Sequence, residues 1–258
     1  MEVNTIYCGD CVDHMATLPD DCVDLTVTSP PYDNLRTYNG FSFDFESVAQ
    51  GLYRITKPGG IVVWVVGDSV VDGSETGTSF RQALRFKEIG FKLHDTMLYI
   101  KTGISFPGIN RYHQAFEYMF VFVKGKIKTY NLIADRKNLT EGHRDHGQER
   151  RPDGSMKDRS SNLAGRIVPA YGIRYNYWLL QNHVHHTKHP APFPEQLAND
   201  HIISWSNEGD LVYDPFMGSG TTAKMALFNQ RNYLGAEMSE EYCKMAADRL
   251  AQCSFLPV

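Results

Sequence analysis

Short apolar, β-branched segments alternate with segments of helical spacing along most of the chain, which predicts strands and helices in turn. The predicted strands are Asn4–Asp10, Asp24–Thr28, Ile61–Gly67, His94–Lys101, Glu117–Lys124, Asp210–Tyr213 and Asn232–Glu237. The predicted helices are Cys11–Leu18, Phe45–Ile55, Ser79–Ile89, Phe193–Ile203, Thr222–Asn229 and Glu240–Cys253. This alternation is typical of an α/β fold with a mainly parallel sheet.

The alternation stops between Gly125 and His189, a stretch rich in Arg, His, Asn, Gly and Tyr with little periodicity. Long irregular segments in compact domains usually have a function of their own. We therefore expect residues 1–124 and 189–258 to form one domain together, with residues 125–188 as an insertion in it.

Composition is that of an ordinary globular protein, with 42% hydrophobic residues among 258. No apolar run is long enough to cross a membrane, and the first ten residues lack the basic start of a signal peptide, so a cytoplasmic protein is expected. The five cysteines are an odd number, and Cys8 and Cys11 form a single CGDC pair with no second pair of soft ligands near it, which favours reduced structural thiols over disulfides or zinc.

Charge is distributed unevenly. The net charge is -4, yet the stretch from Lys124 to Lys188 contains 13 Lys and Arg against 6 Asp and Glu. The rest of the chain has 13 basic and 24 acidic residues. This asymmetry predicts a basic surface, suited to a polyanionic partner, on an acidic body, although a solvated loop would have the same composition.

A glycine-rich turn follows the strand that ends near Asp214, in the sequence DPFMGSGTT. Glycines allow a tight turn and a close approach of the backbone to a ligand, and Glu237 ends the next strand, where an acid can bind ribose hydroxyls. A phosphate-binding loop would need Gly-Lys-Ser/Thr, which is missing here. Asp214 is better suited to a cationic group, such as the amino group of a methionine moiety.

The sequence Ser29-Pro30-Pro31-Tyr32 directly follows another predicted strand. Two prolines fix the backbone and remove two N–H donors, so the carbonyls before and between them can accept hydrogen bonds. With the hydroxyl of Ser29, they can hold the protons of an exocyclic NH2 group so that its lone pair attacks a methyl sulfonium. Tyr32 can stack on a base extruded from a duplex.

TSPPY followed much later by DPFMGSGTT resembles the DNA amino-methyltransferase family in its permuted β arrangement, in which the catalytic motif precedes the cofactor turn. The resemblance implies a Rossmann-like sheet with one antiparallel strand, helices on both faces and S-adenosylmethionine as cofactor. It implies that Ser29, Pro30, Pro31 and Tyr32 are catalytic. The implied cofactor-binding residues are Asp10 (at the adenine), Thr28, Phe193, Asp214, Pro215, Phe216, Gly218, Ser219, Gly220, Thr221 and Glu237. The stretch from His189 to Glu195 resembles the family motif that packs near the methionine end.

Serine at the first catalytic position is commoner in this family among cytosine N4 enzymes, and aspartate among adenine N6 enzymes. The sequence therefore favours cytosine N4, with adenine N6 as the alternative. Methylation at cytosine C5 is disfavoured, because it needs a thiolate nucleophile and no cysteine lies in a turn of catalytic character.

The basic insertion is the candidate target-recognition region for double-stranded DNA. Its proposed DNA-binding residues are Arg144, Arg150, Arg151, Lys157 and Arg159, which can neutralise phosphates or read guanine edges. Its aromatic residues can stack on bases or form a small core; they are Tyr171, Tyr175, Tyr177 and Trp178. The histidines of HVHHTKH lack a completing Cys or carboxylate, so no metal site is predicted; they are His183, His185, His186 and His189.

Three further points stay open. Methylation of RNA or of a protein amide, or a catalytically silent DNA-binding protein, would also fit parts of the pattern. Such an enzyme can act with a cognate restriction endonuclease or without one. A monomer and a homodimer are both compatible with the sequence.

Overall fold

The structure is a computed structural model that describes residues 1–31, 43–101, 110–144, 148–158, 165–180 and 194–253. Tyr32, Phe193, Arg159 and the four histidines of HVHHTKH lie outside the described residues, so what was predicted for them stays a prediction. No helix in the described ranges has both the length and the apolar character that crossing a bilayer requires.

Six helices occupy the described ranges. They are α1 (Cys11–Thr17), α2 (Phe45–Ile55), α3 (Thr78–Ile89), α4 (Glu195–Trp205), α5 (Thr221–Phe228) and α6 (Glu240–Cys253). Helix α2 illustrates why these segments fold this way. The carboxylate of Asp44 caps it by accepting hydrogen bonds from the backbone N–H groups of Glu46 and Ser47, and residues spaced by three and four positions are buried.

Fourteen strands complete the described secondary structure. They are β1 (Thr5–Cys8), β2 (Val23–Thr28), β3 (Thr56–Val66), β4 (Val70–Val71), β5 (Ser74–Glu75), β6 (Lys92–Lys101), β7 (Phe116–Val123), β8 (Arg136–Lys137), β9 (Gln148–Arg150), β10 (Met156–Asp158), β11 (Tyr171–Gly172), β12 (Tyr177–Leu180), β13 (Leu211–Asp214) and β14 (Asn232–Glu237). Eight of them form the main sheet, and the short strands pair as β4–β5, β9–β10 and β8–β11.

The main sheet has the strand order β1-β14-β13-β2-β3-β7-β6-β12. Strand β7 runs antiparallel to both of its neighbours, and the other pairs are parallel. Helices α1, α2 and α3 cover one face and α4, α5 and α6 the other, because residues of β3 alternate between two apolar cores. The predicted Rossmann-like sheet, mostly parallel with one antiparallel strand and helices on both faces, is confirmed.

The main sheet takes one strand from the stretch predicted to be irregular. Strand β12 pairs in parallel with β6, and Trp178 is buried there in the core. The chain divides into one compact unit of residues Met1–Asn131 and Asn176–Val258 and a second of residues Leu132–Tyr175. The second unit is shorter at both ends than the predicted insertion of residues 125–188; at its C-terminal end the difference includes β12, which at four residues is too short for its pattern to stand out.

Local boundaries also differ from the predictions. The segment Lys57-Pro58-Gly59-Gly60, which separates a predicted helix from a predicted strand, lies inside β3, since α2 ends at Ile55 and the strand begins at Thr56. The register between β2 and β3 shifts in this region, so the prolyl-glycine segment is accommodated as an irregularity in the pairing. Helix α4 begins at Glu195 rather than Phe193, because Pro194 occupies the position before its first turn.

The cysteines differ from the prediction that all five are reduced. Cys8 at the end of β1 and Cys243 in α6 form a disulfide, with Cα atoms 6.0 Å apart. The pair is separated by 235 residues, so spacing along the chain gave no sign of it. Cys11 is a buried free thiol, and burial raises its pKa to about 12, as expected of an inert structural cysteine.

Candidate active site

The carboxyl ends of four neighbouring parallel strands lie along one edge of the sheet. In the order β1-β14-β13-β2, these strands end at Cys8, Glu237, Asp214 and Thr28. Ligand sites of open α/β sheets form at such an edge, outside the carboxyl ends. The fold thereby brings the Ser-Pro-Pro turn after β2 and the glycine-rich turn after β13 together, although they are far apart in sequence.

A direct hydrogen bond joins the two turns. The Thr28 hydroxyl donates to Oδ1 of Asp214 over 2.7 Å, and the same oxygen accepts the backbone N–H of Phe216 over 3.0 Å. Thr28 and Asp214 are 0% and 1% exposed. The end of β2, from which the predicted catalytic motif continues, is thus fixed against the residue that begins the predicted cofactor turn.

Burial also changes the acidity of Asp214. Loss of contact with water raises the pKa of its carboxyl group to about 6, although hydrogen bonds from Thr28 and Thr222 favour the anion. The nearby carboxylate of Glu237 adds to the increase in the pKa. A cation entering this region would be attracted by the two acids and would shift the pKa of Asp214 back down.

Glu237 is held by the backbone on both of its oxygens. Oε2 accepts the N–H of Gly218 over 2.8 Å, and Oε1 accepts the N–H of Ser239 over 2.9 Å. These bonds fix the plane of a half-exposed carboxylate and leave a second acceptor position on each oxygen. That arrangement suits a vicinal diol, such as that of a ribose.

Three glycines allow the turn to take its shape. Gly218 and Gly220 have φ angles of 52° and 79°, in the left-handed region that favours glycine. A Cβ atom on Gly220 would lie 3.1 Å from the Cβ of Ala246 in α6, so the helix approaches the turn closely. A Cβ on Gly235, in the neighbouring strand, would lie 1.8 Å from Cε of Met217, which explains the glycine in NYLGAE.

Several predicted cofactor residues face the protein interior. Ser219 and Thr221 are each 4% exposed, and their hydroxyl oxygens accept hydrogen bonds from Arg249. Pro215 is buried too, whereas Phe216 is half-buried, with its ring edge-on to Trp64 at 6.3 Å between centroids. The structure therefore gives Ser219 and Thr221 contacts that stabilise the turn, and their contact with the cofactor stays a prediction.

Asp10 and the catalytic turn are only partly enclosed. Asp10 is exposed and caps α1, accepting the N–H of Val12 on Oδ1 over 2.6 Å. Pro30 is buried, while Ser29 and Pro31 are half-buried. In the described part of the predicted catalytic motif, the buried Pro30 therefore lies between two residues that are accessible to solvent.

Residues that sequence reasoning did not single out support the turn from behind. Arg249 of α6 donates to the backbone oxygen of Ser219, and it also pairs with Glu195 at the start of α4. Lys224 of α5 pairs with the same carboxylate over 2.6 Å. A single arginine in an amphipathic helix gives no sequence signal, and only packing shows what it contacts.

The second compact unit presents its basic residues to solvent. Arg144, Arg150, Arg151 and Lys157 are all exposed, the last three on or beside the hairpin of β9 and β10. Within this unit the Arg136 guanidinium lies 4.9 Å from the ring centre of Tyr175. Tyr171 and Tyr175 are about half exposed, so they do not form the small core that was one of their two interpretations.

The residues at the sheet edge fit S-adenosylmethionine. The ligand combines a sulfonium, an ammonium group, a ribose diol and an adenine. The buried carboxylate of Asp214 and the oriented carboxylate of Glu237 provide negative charge, and the glycine-rich backbone allows a close approach. Two carboxylates at a helix N-terminus would oppose a triphosphate by charge.

Comparison with known proteins gives the same answer. The sequence profile of a family described as DNA methylase matches residues 23–248. The chain belongs to the DNA methylase family. The orphan methyltransferase M.BamHII of Bacillus amyloliquefaciens is 60% identical over 241 residues, which covers 89% of each chain.

Solved structures agree on fold and cofactor. The PvuII DNA methyltransferase (cytosine-N4-specific) superposes with a TM-score of 0.71 over 100% of this chain and 88% of its own, at 21% identity, which shows the common fold. A putative DNA modification methylase from Thermus thermophilus, complexed with S-adenosyl-L-methionine, has a TM-score of 0.66 and 25% identity, covering 97% of this chain and 94% of its own. The family match and the 60%-identical relative make this chain a member of the DNA methylases, and the solved structures share its fold.

Proposed function

We propose that this methylase transfers a methyl group to the exocyclic N4 amino group of a cytosine flipped out of double-stranded DNA. The observation that carries the proposal is the Thr28–Asp214 hydrogen bond of 2.7 Å. This bond joins the start of the Ser-Pro-Pro turn, whose acceptors suit an amino group, to the start of the glycine-rich turn, which suits the cofactor. A base flipped to this edge would have its amino nitrogen beside both turns.

The Ser-Pro-Pro turn accounts for activation of the amino group. The hydroxyl oxygen of Ser29 and the carbonyls beside the prolines accept the protons of the NH2 group. Its nitrogen lone pair is then drawn out of conjugation with the ring and becomes nucleophilic. As the nitrogen–methyl bond forms, the sulfur–methyl bond breaks, the thioether leaves, and the surplus proton passes from the nitrogen to water. Because Pro30 is buried and both prolines have fixed φ angles, the acceptors are preorganised rather than assembled on binding. Tyr32 stacks on the extruded base.

Asp214 and Glu237 position the cofactor in this proposal, with Asp10 at the adenine. When bound, S-adenosylmethionine supplies an electrophilic methyl group on a positively charged sulfur. Glu237 receives the ribose diol on the free acceptor positions of its two oxygens. Asp214, close behind, stabilises the positive charge of the methionine end through its field.

The second compact unit provides the DNA-binding surface. Arg150, Arg151 and Lys157 are exposed on one short hairpin, where they can contact successive phosphates or guanine edges. Arg144 and Arg159 extend the same set. The excess of basic over acidic residues in this part of the chain supports that role, since contacts to phosphates dominate DNA affinity.

The identity of the base rests on one residue. Ser29 opens the catalytic motif, and serine there favours cytosine N4 over adenine N6. Adenine N6 is the alternative, and it keeps the same fold, cofactor and site. The word orphan in the name of the 60%-identical relative supports activity without a cognate restriction endonuclease.

The test is incubation of purified protein with S-adenosylmethionine and duplex DNA of mixed sequence, followed by mass spectrometry of the nucleosides. N4-methylcytosine is expected, and its rate of formation should fall by about 100-fold with Tyr32→Ala. N6-methyladenine would refute the base assignment while keeping the site. A protein that binds cofactor without modifying DNA would refute the proposal and direct the search to RNA or protein amides.

A further inference from the structure

One nitrogen of Arg249, with its two N–H groups, lies within hydrogen-bond distance of three acceptors in the predicted cofactor turn. Its Nη1 lies 3.0 Å from the backbone oxygen of Ser219, 3.1 Å from Oγ of Ser219 and 3.1 Å from Oγ1 of Thr221. These acceptors flank Gly220, the left-handed residue before α5. The guanidinium thus holds the turn on both sides of Gly220.

The other guanidinium nitrogen, Nη2, pairs with Oε1 of Glu195 in the first turn of α4. The same oxygen accepts Nζ of Lys224 from α5 over 2.6 Å. Burial of Glu195 opposes its ionisation, but the hydrogen bonds from Lys224 and Arg249 outweigh this and lower the pKa of the carboxyl group. The glutamate is therefore a stable anion that fixes the arginine from behind.

The helix that carries Arg249 packs tightly against the turn. Ala246, one helical turn earlier, is fully buried, and a Cβ on Gly220 would lie only 3.1 Å from its side chain. The planar guanidinium presents separate nitrogens to the turn and to Glu195, which a lysine ammonium cannot do in the same geometry. The position and the residue type of Arg249 both indicate a specific support for the turn rather than a general surface charge. The pair of Arg249 and Glu195 is called the brace below.

The brace connects to a cofactor-facing acid through one residue. Ser219, held by Arg249, is bonded covalently to Gly218, whose N–H donates to Oε2 of Glu237 over 2.8 Å. A displaced Ser219 would move this donor and tilt the carboxylate. The ion pair itself is part-exposed, with 23% of the arginine and 39% of the glutamate side chain accessible, so it contributes little to global stability.

We propose that Arg249 and Glu195 are positioning residues for methyl transfer: they hold the turn from Met217 to Thr221 in the geometry that receives S-adenosylmethionine. Neither side chain touches the cofactor in this proposal. The inference rests on the assignment of this turn as the cofactor site.

The test measures S-adenosylmethionine affinity by calorimetry for wild type, Arg249→Ala, Arg249→Lys and Glu195→Gln. Removing the charged donor should weaken binding by about tenfold, as expected for loss of charge-assisted hydrogen bonds. Arg249→Lys keeps the charge but should restore less than half of the loss on a logarithmic scale. Glu195→Gln should have a smaller effect, and the double variant Glu195→Gln with Arg249→Ala should be no weaker than Arg249→Ala alone.

Kinetics separate positioning from general damage. The KM for the cofactor should rise, whereas kcat at saturating cofactor, the KM for DNA and the melting temperature should change little. Lys244→Ala removes an exposed cation from the same helix and should behave as wild type. Should Arg249→Ala fail to fold, Arg249→Lys and Glu195→Gln decide the question.

Two outcomes would overturn the inference. The first is wild-type cofactor affinity in folded Arg249→Ala and Arg249→Lys. The second is a parallel fall in kcat, affinity for both substrates and melting temperature, which would indicate a merely structural pair. Failure of the proposed function is distinguishable, because the wild-type protein would then bind the cofactor and leave DNA unmodified.

Discussion

The sheet edge at the carboxyl ends of β1, β14, β13 and β2, called here the cofactor edge, differs from the unit of residues Leu132–Tyr175 in the burial of its polar side chains. At the cofactor edge, Thr28, Asp214, Ser219 and Thr221 are at most 4% exposed, and each polar side chain has a partner within the protein. In the second unit the described strands are two or three residues long, and the basic side chains of Arg144, Arg150, Arg151 and Lys157 are exposed.

This difference corresponds to two kinds of task. Methyl transfer requires the acceptor nitrogen and the methyl group to be aligned within a fraction of an ångström, which favours a rigid, buried frame. DNA contacts rely on many individually weak, salt-dependent interactions that exposed arginines on short hairpins can make. The comparison predicts that changes at the edge affect cofactor affinity and turnover, and that changes in the second unit affect DNA affinity.

The largest effect is expected for Tyr32→Ala. Loss of the stacking face should lower kcat by about 100-fold, because a small misplacement of the base suffices for such a loss. Cofactor affinity, measured by calorimetry, should stay within a factor of about two. Tyr32→Phe keeps the ring and should retain most of the activity. A large loss of cofactor binding in Tyr32→Ala would contradict the role given to Tyr32.

Asp214→Asn tests the buried centre of the cofactor edge. The amide lacks the negative charge, and because Thr28 and the N–H of Phe216 both donate to Oδ1, its NH2 group must take the place of the other carboxylate oxygen. Cofactor affinity should fall by about 30-fold, in the range for a lost hydrogen bond to a charged group. Asp248→Asn, at an exposed position, is the matched control. Equal affinities would show that Asp214 is not needed for cofactor binding.

The double variant Arg150→Ala with Arg151→Ala tests the second unit. DNA affinity near 0.1 M salt should fall by about tenfold, and the slope of log K against log salt should decrease by about two. Cofactor affinity should not change. Lys87→Ala with Lys92→Ala is the matched control, because it removes two exposed cations from the first compact unit. Lys92 lies at the amino end of β6, and we expect wild-type DNA affinity and salt slope. An unchanged salt slope in the arginine variant would rule out this hairpin as the DNA surface.

The smallest effect is a pH dependence from Asp214. Its pKa is raised from 3.8 to about 6 in the folded protein, so the native state binds an extra proton between these values. The resulting stabilisation is present at low pH and is lost as the pH rises through 6. Cofactor binding depends on the anion and has the opposite trend, so KM for the cofactor should rise about fourfold by pH 5.5.

Steady-state kinetics between pH 5.5 and 8 would measure this trend, with turnover at saturating cofactor as the internal reference. Asp214→Asn should abolish the dependence on pH. A KM that is constant over this range in the wild-type protein would contradict the dependence of cofactor binding on the Asp214 anion.

Long periodic segments could be predicted well from the sequence. The prediction for α2 coincides with Phe45–Ile55, because its apolar spacing and its Asp44 cap are local signals. Strand β14 was predicted with the same bounds as in the structure. Strand β12 was missed, because a four-residue strand has too few positions for a period and its pairing with β6 is made through the fold.

The sequence by itself determined the α/β architecture, the candidate catalytic and cofactor turns and the basic character of the insertion. The reason is that hydrophobic periodicity and the backbone effects of proline and glycine depend on residues only a few positions apart. The tertiary structure decided which distant groups meet. The bond from Thr28 to Asp214, the disulfide between Cys8 and Cys243 and the brace of Arg249 with Glu195 join residues that are 186, 235 and 54 positions apart. Such contacts depend on the order of strands in the sheet and on helix packing across its faces, which no local pattern encodes.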